Sequence, residues 1–272
     1  MSSPGQTVHT TLIIPAHNEE ARLATTLHRY SVALRERCGP AFEIVVVANG
    51  CEDATADVAR RMALKFPQIR VLEIDARIGK GGAILAGFDA AEAPDIAFVD
   101  ADAATEPESL LDLLDHLKTH DVVIGSRRLP GSLITHKQPL KRQLFGSVFA
   151  VTARLLFGLP FRDTQCGAKA FRAESARLLA PMVRERSWMF DLDLLLSADA
   201  AGLSILEYPV TWADQPGSQL RLLPTAREVI GALWRLKRRA APIAEVEPDL
   251  VPGYISAVPG ADRDPAIVAS VQ

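Results

Sequence analysis

Phe98-Val99-Asp100-Ala101-Asp102-Ala103-Ala104-Thr105 decides how this chain is read. An apolar run, Ile96 to Val99, leads in from Pro94-Asp95 and stops at two carboxylates spaced i and i+2. A buried strand that ends in an acidic loop has this pattern. In parallel α/β sheets the chain leaves the packed core at the strand ends, side chains there face a crevice, and ligands bind in it. Two carboxylates separated by one small residue can hold a hard divalent cation such as Mg²⁺ or Mn²⁺ through oxygen. Such a cation can neutralise a diphosphate leaving group. Taken alone, an Asp-x-Asp pair is more often a solvated turn, so the surrounding chain has to carry the reading.

Upstream, Thr10 to Pro15 and Phe42 to Val47 are apolar, β-rich runs that predict two further buried strands, and Ile69 to Ile74 predicts another. Between them, Leu23, Leu27, Tyr30 and Leu34 recur with helical spacing across a segment from Glu20 to Arg37, and a second helix is expected from about Asp53–Thr55 to Phe66. Gly79-Lys80-Gly81-Gly82 opens a helix to about Ala91, and another is expected from Glu106 to Lys118. Strand alternating with helix over some 110 residues predicts an α/β fold, a mostly parallel central sheet flanked by helices. The exit loops of that sheet carry His17, Glu19, Asn49, Asp53, Lys80, Asp100 and Asp102, which should converge on one rim. The glycine-rich stretch could set backbone N–H groups and Lys80 near phosphate. It lacks the Walker and dinucleotide-binding spacings, and a flexible start to a helix accounts for it equally well.

The 272 residues suffice for one or two domains; 48% are hydrophobic and 23% charged, with a net charge of −3. No global basic field points to nucleic acid. Three cysteines, Cys38, Cys51 and Cys166, fit a reducing compartment better than a disulfide scaffold. No signal-type segment and no apolar run of membrane-spanning length is found, which predicts a cytoplasmic protein or one peripheral at the inner face of the membrane.

Downstream, Asp121 to Gly125 predicts a strand leaving through Ser126-Arg127-Arg128 into a loop rich in Pro, Gly and His, with Lys141 and Arg142 beyond it. Arg127 at that exit could grip an acceptor phosphate with paired hydrogen bonds, while a charge run is also an ordinary solvated face. Pro139 to Pro160 predicts an apolar helix suited to a core, a dimer face or a membrane interface. Asp163 to Arg172 runs into a strand, and Ser187 to Asp193 enters a helix lasting to about Ala201. Asp191 and Asp193 near that helix start either complement its dipole or face the pocket as base or acceptor anchor. A late strand spans Ser204 to Trp212, followed by a loop with Gln219 and Arg221. Residues 224–240 predict a basic amphipathic helix suited to a membrane surface or to docking on the domain, and 241–272 a disordered or draped tail.

The ordered set Ile14-Pro15-Ala16-His17-Asn18-Glu19, Gly79-Lys80-Gly81-Gly82, Asp100-Ala101-Asp102, Gly125-Ser126-Arg127, Asp163-Thr164-Gln165-Cys166-Gly167, Phe190-Asp191-Leu192-Asp193 and Gly217-Ser218-Gln219-Leu220 resembles family 2 inverting glycosyltransferases, specifically the dolichyl-phosphate β-glucosyltransferase and dolichyl-phosphate mannose synthase branch. The resemblance implies a GT-A domain over residues 7–223. It implies transfer of a hexose, glucose or mannose, from a UDP- or GDP-sugar to a polyprenyl phosphate, with Mg²⁺ or Mn²⁺ as cofactor. By that likeness Pro15, His17, Glu19, Asn49, Asp53, Lys80, Asp100, Ala101 and Arg221 would bind the nucleotide sugar, and Asp100 and Asp102 the metal. Ser126, Arg127, Arg142 and Gln165 would meet the acceptor, and Asp191 and Asp102 would be catalytic. The chain departs from the family pattern where Ala48-Asn49-Gly50-Cys51 replaces Asp-Asp-Gly-Ser, removing a base-reading carboxylate. His17 replaces Tyr, Asp193 replaces Glu and Gln219 replaces Lys, and no segment like the transmembrane anchor of the eukaryotic relatives is expected within these residues. A soluble hydroxyl acceptor, contact with a membrane surface, a homodimer, and a non-catalytic nucleotide-binding role on the same fold remain open alternatives at this point.

Overall fold

A computed structural model describes residues 8–136, 140–187, 189–214, 231 and 233–238, apart from the side chains of 140–145 and 147. The first half alternates as its periodicity predicts: β1 (Thr10–Ala16), α1 (Leu23–Cys38), β2 (Phe42–Asn49), α2 (Thr55–Lys65), β3 (Ile69–Ile74), α3 (Gly79–Ala90) and β4 (Asp95–Phe98). Then come α4 (Pro107–His116), β5 (Val122–Ser126), β6 (Leu133–His136), α5 (Leu140–Phe157), β7 (Lys169–Arg172), α6 (Ala173–Leu179), α7 (Phe190–Ala200), β8 (Ile205–Pro209) and β9 (Thr211–Ala213).

Seven strands form one sheet in the order β3-β2-β1-β4-β7-β5-β8. It is parallel except at β7, which runs antiparallel to both its neighbours, with Lys169 opposite Phe98 on one side and Ile124 on the other. Alternation along the strands feeds two cores. Ile13, Val45 and Val47 pack with α3 and α7 on one face. Leu12, Ile14, Ile44 and Val46 pack with α1, α2 and α4 on the other.

Three parts of the chain depart from expectation. The late strand divides in two, because the Val210 N–H donates to Ser126 O at 3.0 Å while its carbonyl accepts the Leu133 N–H at 3.1 Å. That residue carries the chain from the main sheet into a two-stranded ribbon of β6 and β9. β6 and α6 carry no distinct sequence signal and were not expected. In the expected 224–240 helix, Gly231 and residues 233–238 are helical. Leu233 and Leu236 pack into the α3–α7 core while Trp234 is 59% exposed. The expected 241–272 tail, most of the 214–223 loop, and Lys137 lie outside the described residues.

Candidate active site

The acidic loop after β4 is held in shape by one face of α1. Thr26 Oγ1 donates to Ala101 O at 2.7 Å, Arg29 to Ala103 O at 3.3 Å, and the Tyr30 hydroxyl to Thr105 O at 2.9 Å. Residues 26, 29 and 30 share a helix face, so a single rigid element fixes three alternate carbonyls of the loop. Arg29 also pairs with Glu106, at the loop's end. Ala103 takes a left-handed φ of 55°, a strained setting for alanine that these contacts maintain. No sequence cue marked Thr26 or Arg29, and Tyr30 was marked only as part of the helix's apolar face, because their partners are backbone atoms about 75 residues away.

The turn presents Asp100 and Asp102 with different surroundings. Asp102 Oδ1 accepts the Ala104 N–H at 3.0 Å. Burial, reinforced by the negative charge of Asp100 and more weakly by Glu19, pushes the Asp102 carboxyl up to about 6. Asp100 is turned toward the other side of the rim, with Oδ1 2.8 Å from Lys80 Nζ. Lys80 in turn lies 3.3 Å from Asp191 Oδ2 at the start of α7, and the second Asp191 oxygen lies 2.6 Å from Lys169 Nζ. The Lys169 ammonium also donates to Cys166 O at 2.7 Å and is fully buried. Burial by itself would raise the Asp191 pKa. The ammonium groups of Lys169 and Lys80 outweigh it and hold the carboxyl below the ordinary aspartate range. Lys169 was missed at the sequence level; its one cue is a lysine in an otherwise apolar run, Ala168 to Phe171.

The residues expected to meet the nucleotide gather on the same rim with local duties. His17 Nδ1 donates to Asn49 O at 2.9 Å, and the Asn49 amide donates to Ala16 O at 3.1 Å, leaving its buried Oδ1 without a partner among the described residues. These bonds tie the ends of β1 and β2 together beside half-buried Pro15. Glu19 is held in a two-pronged pair by Arg22 at 2.7 and 2.8 Å. Asp53 accepts from Glu20 N at 3.1 Å and Thr55 N at 3.0 Å, so its carboxylate ties the first two exit loops together. Ala101 is buried beneath the turn. One expectation is corrected here: the N–H groups of Gly81 and Gly82 do not face a phosphate. Both point at Arg186 O, at 2.8 and 3.4 Å, and only the Lys80 side chain of that stretch reaches the acidic rim.

Of the residues expected to meet the acceptor, Arg127 is already engaged. Its guanidinium grips Asp163 through two bonds of 2.7 and 2.8 Å, its own N–H adds a third at 3.0 Å, and it lies over the Trp212 ring. The pair joins the end of β5 to the loop preceding β7. Beside Arg127 the Asp163 carboxyl is held down at about 2, against the raising effect of burial. Ser126 is buried, and its hydroxyl accepts the Arg128 N–H at 3.3 Å. The buried Gln165 Nε2 and Thr164 Oγ1 have no partner among the described residues. Asp193 does not reach the rim: its Oδ2 accepts the N–H groups of Arg184 and Glu185 at 2.7 and 2.8 Å, steadying the segment that caps α3 through Arg186. The Arg142 side chain and Arg221 lie outside the described residues.

Could this rim hold a divalent cation? Among the described residues no cluster of three or more His, Cys, Asp or Glu forms a closed metal cage. Asp100 and Asp102 supply a carboxylate pair whose mutual repulsion, visible in the raised Asp102 pKa, a cation would relieve. Two carboxylates completed by substrate phosphate oxygens suit Mg²⁺ or Mn²⁺ better than an all-protein cage does. The residues fit.

A mostly parallel sheet with one reversed inner strand and an acidic turn at its rim defines the protein as a GT-A glycosyltransferase fold. The chain belongs to glycosyl transferase family 2, whose family model matches residues 11–178. It is 33% identical to the dolichyl-phosphate beta-glucosyltransferase ALG5C of Trichomonas vaginalis, over 90% of this chain and 79% of that one. It is 31% identical to the undecaprenyl-phosphate mannosyltransferase of Micrococcus luteus, over 75% and 83%. It is 30% identical to the glycosyltransferase AglD of Haloferax volcanii, over 97% of this chain but only 45% of that protein. Among solved structures, glucosyl-3-phosphoglycerate synthase from Mycobacterium tuberculosis, in complex with Mn²⁺ and UDP, superimposes with a TM-score of 0.62 at 19% identity, covering 85% of this chain and 80% of that one. Mannosyl-3-phosphoglycerate synthase from Rubrobacter xylanophilus gives 0.64 at 16%, covering 91% and 78%. At these identities the structural likeness is one of fold.

Proposed function

We propose that this protein moves a hexose from a nucleotide-diphosphate sugar to a polyprenyl phosphate, with inversion at the anomeric carbon. The observation that carries the choice of acceptor is the setting of Asp191. A general base for a hydroxyl acceptor works best with a pKa near the operating pH. Asp191 is instead clamped between two ammonium groups, 2.6 and 3.3 Å away, that favour its ionised form and make it a poor proton acceptor. A phosphate acceptor reaches the site already ionised and needs no such base. The names of the relatives, a dolichyl-phosphate glucosyltransferase and an undecaprenyl-phosphate mannosyltransferase, point the same way.

In this reading Asp100 and Asp102 hold Mg²⁺ or Mn²⁺, which would offset charge on the departing nucleoside diphosphate. Lys80, a half-buried ammonium beside Asp100 at the open rim, turns to the diphosphate and shares that duty. Glu19, held by Arg22, and His17, held on Asn49, line the nucleotide side with Asp53 and the Asn49 oxygen that has no partner among the described residues. Gln165, whose amide nitrogen has no protein partner among the described residues, offers a donor to the acceptor phosphate, with Arg142 and Arg221 as further cations. Arg127 acts there indirectly, by fixing the loop that carries Gln165. Asp191 lies under the sugar and stabilises developing positive charge at its ring.

No helix among the described residues is long and apolar enough to cross a membrane. The acceptor is reached from the surface: α5 exposes Val148, Val151 and Leu155 at 58, 54 and 82%, with exposed Arg154 beside them. An apolar row with an adjacent cation suits the headgroup layer of an anionic membrane. The deciding experiment offers UDP-glucose and GDP-mannose in turn, with Mn²⁺, to a polyprenyl phosphate and to the matching unphosphorylated polyprenol. A sugar-phosphate lipid should form from the first acceptor only. Equal transfer to the alcohol, or transfer to neither lipid with turnover on a soluble sugar, would overturn the proposal.

A further inference from the structure

We propose that Lys169, in the middle of the sheet, is a positioning residue for the transfer: it fixes the Asp191 carboxylate under the sugar and remains its counter-ion when Lys80 turns to the diphosphate. The inference rests on the reading that Asp191 faces the reacting sugar.

The geometry makes the two lysines unequal. Lys80 is 30% exposed, borders the open rim and is shared between Asp100 and Asp191. A bound diphosphate would compete for it. Lys169 is completely buried, and Asp191 is its carboxylate partner among the described residues. Desolvating an ammonium ion costs several kcal/mol unless it is paired and hydrogen-bonded. The Lys169 ammonium lies 5.6 Å from the centre of the Phe98 ring, a cation–π contact weaker than the desolvation it would have to offset. Packing therefore does not call for a lysine at this position, but a carboxylate at the site does.

The same ammonium ties three segments together. It projects from β7, donates to Cys166 O in the loop that carries Gln165, and holds Asp191 Oδ1 on α7. With Oδ1 occupied, the Asp191 carboxylate can rotate little, and Oδ2 stays turned toward the rim. The reversed direction of β7 makes this possible, because it sets its first residue, Lys169, opposite Phe98, two residues before Asp100.

A double-mutant cycle with Lys169→Met and Asp191→Asn separates positioning from general support, with folding followed by thermal melting and transfer followed as kcat and donor KM. Lys169→Met should lower kcat by about 30- to 100-fold while donor KM moves by less than about threefold, the split expected when an interaction acts in the transition state. In the Asp191→Asn background the same change should cost less than about threefold, since a residue working through Asp191 has nothing left to position. If Lys169→Met does not fold, the double variant, which carries no unpaired buried carboxylate, is compared with Asp191→Asn alone on the same threefold criterion. Losses that multiply in the double variant, or a kcat for Lys169→Met within about threefold of wild type, overturn the inference. Wild-type protein that transfers nothing to a polyprenyl phosphate overturns the functional reading and this inference with it. Multiplied losses in an active protein sink the inference alone.

Discussion

Asp100 turns each of its carboxylate oxygens to a different partner. Oδ1 meets Lys80, and Oδ2 lies so close to Gly167 that a Cβ there would be 2.0 Å away. The glycine is required by that close approach, since its backbone φ is not in the left-handed region. The obstructing atom is the end of a side chain, so an added methyl would turn the carboxylate aside and leave the fold intact. Gly167→Ala should accordingly melt within a few degrees of wild type yet bind nucleotide in the presence of Mn²⁺ about tenfold or more weakly. Calorimetry of both properties checks this; unchanged Mn²⁺-dependent binding would show that the orientation of Asp100 is immaterial.

Between elements, the Arg127–Asp163 pair fastens the end of β5 to the loop before β7. The Asp163 carboxyl falls to about 2 in the fold, whereas an unfolded aspartate titrates near about 4. A depressed pKa contributes stability that is complete above the unfolded value and disappears as pH falls through the folded one. Urea unfolding should therefore lose stability on descending from about pH 4 to about pH 2, a window set by these two values. Asp163→Asn should remove that part of the slope and cost on the order of 2–4 kcal/mol at neutral pH, because it strands the half-buried Arg127 guanidinium. Coincident pH curves for the two proteins would show that the pair contributes nothing to stability. A similar joint steadies the start of α3: Asp193 holds residues 184 and 185, and Arg186 O then takes the Gly81 and Gly82 N–H groups.

Over the whole molecule, the exposed apolar row of α5 has no cover among the described residues. If it meets a membrane, Val151→Glu combined with Leu155→Glu should leave the melting temperature unchanged, since both side chains are exposed, and should abolish flotation with anionic vesicles. A wild-type protein that stays in the soluble fraction would remove the surface route to the lipid.

The strand–helix alternation from Thr10 to His116, and the roster of rim residues from His17 to Asp102, could be read directly from the chain, because hydrophobic periodicity and exit-loop position are local properties. Lys80, Asp100 and Asp191 were singled out in the same way. Nothing local announced that β7 runs backwards between β4 and β5, that Lys169 pairs with Asp191, that Arg127 is occupied by Asp163, or that Arg186 O takes the glycine N–H groups. Strand direction, and the pairing of polar groups 22 to 105 residues apart, depend on contacts whose energy is created only when distant segments close on one another. The sequence by itself determined which side chains stand at the sheet's rim; the tertiary structure decided which of them are already engaged with one another and which can face a substrate.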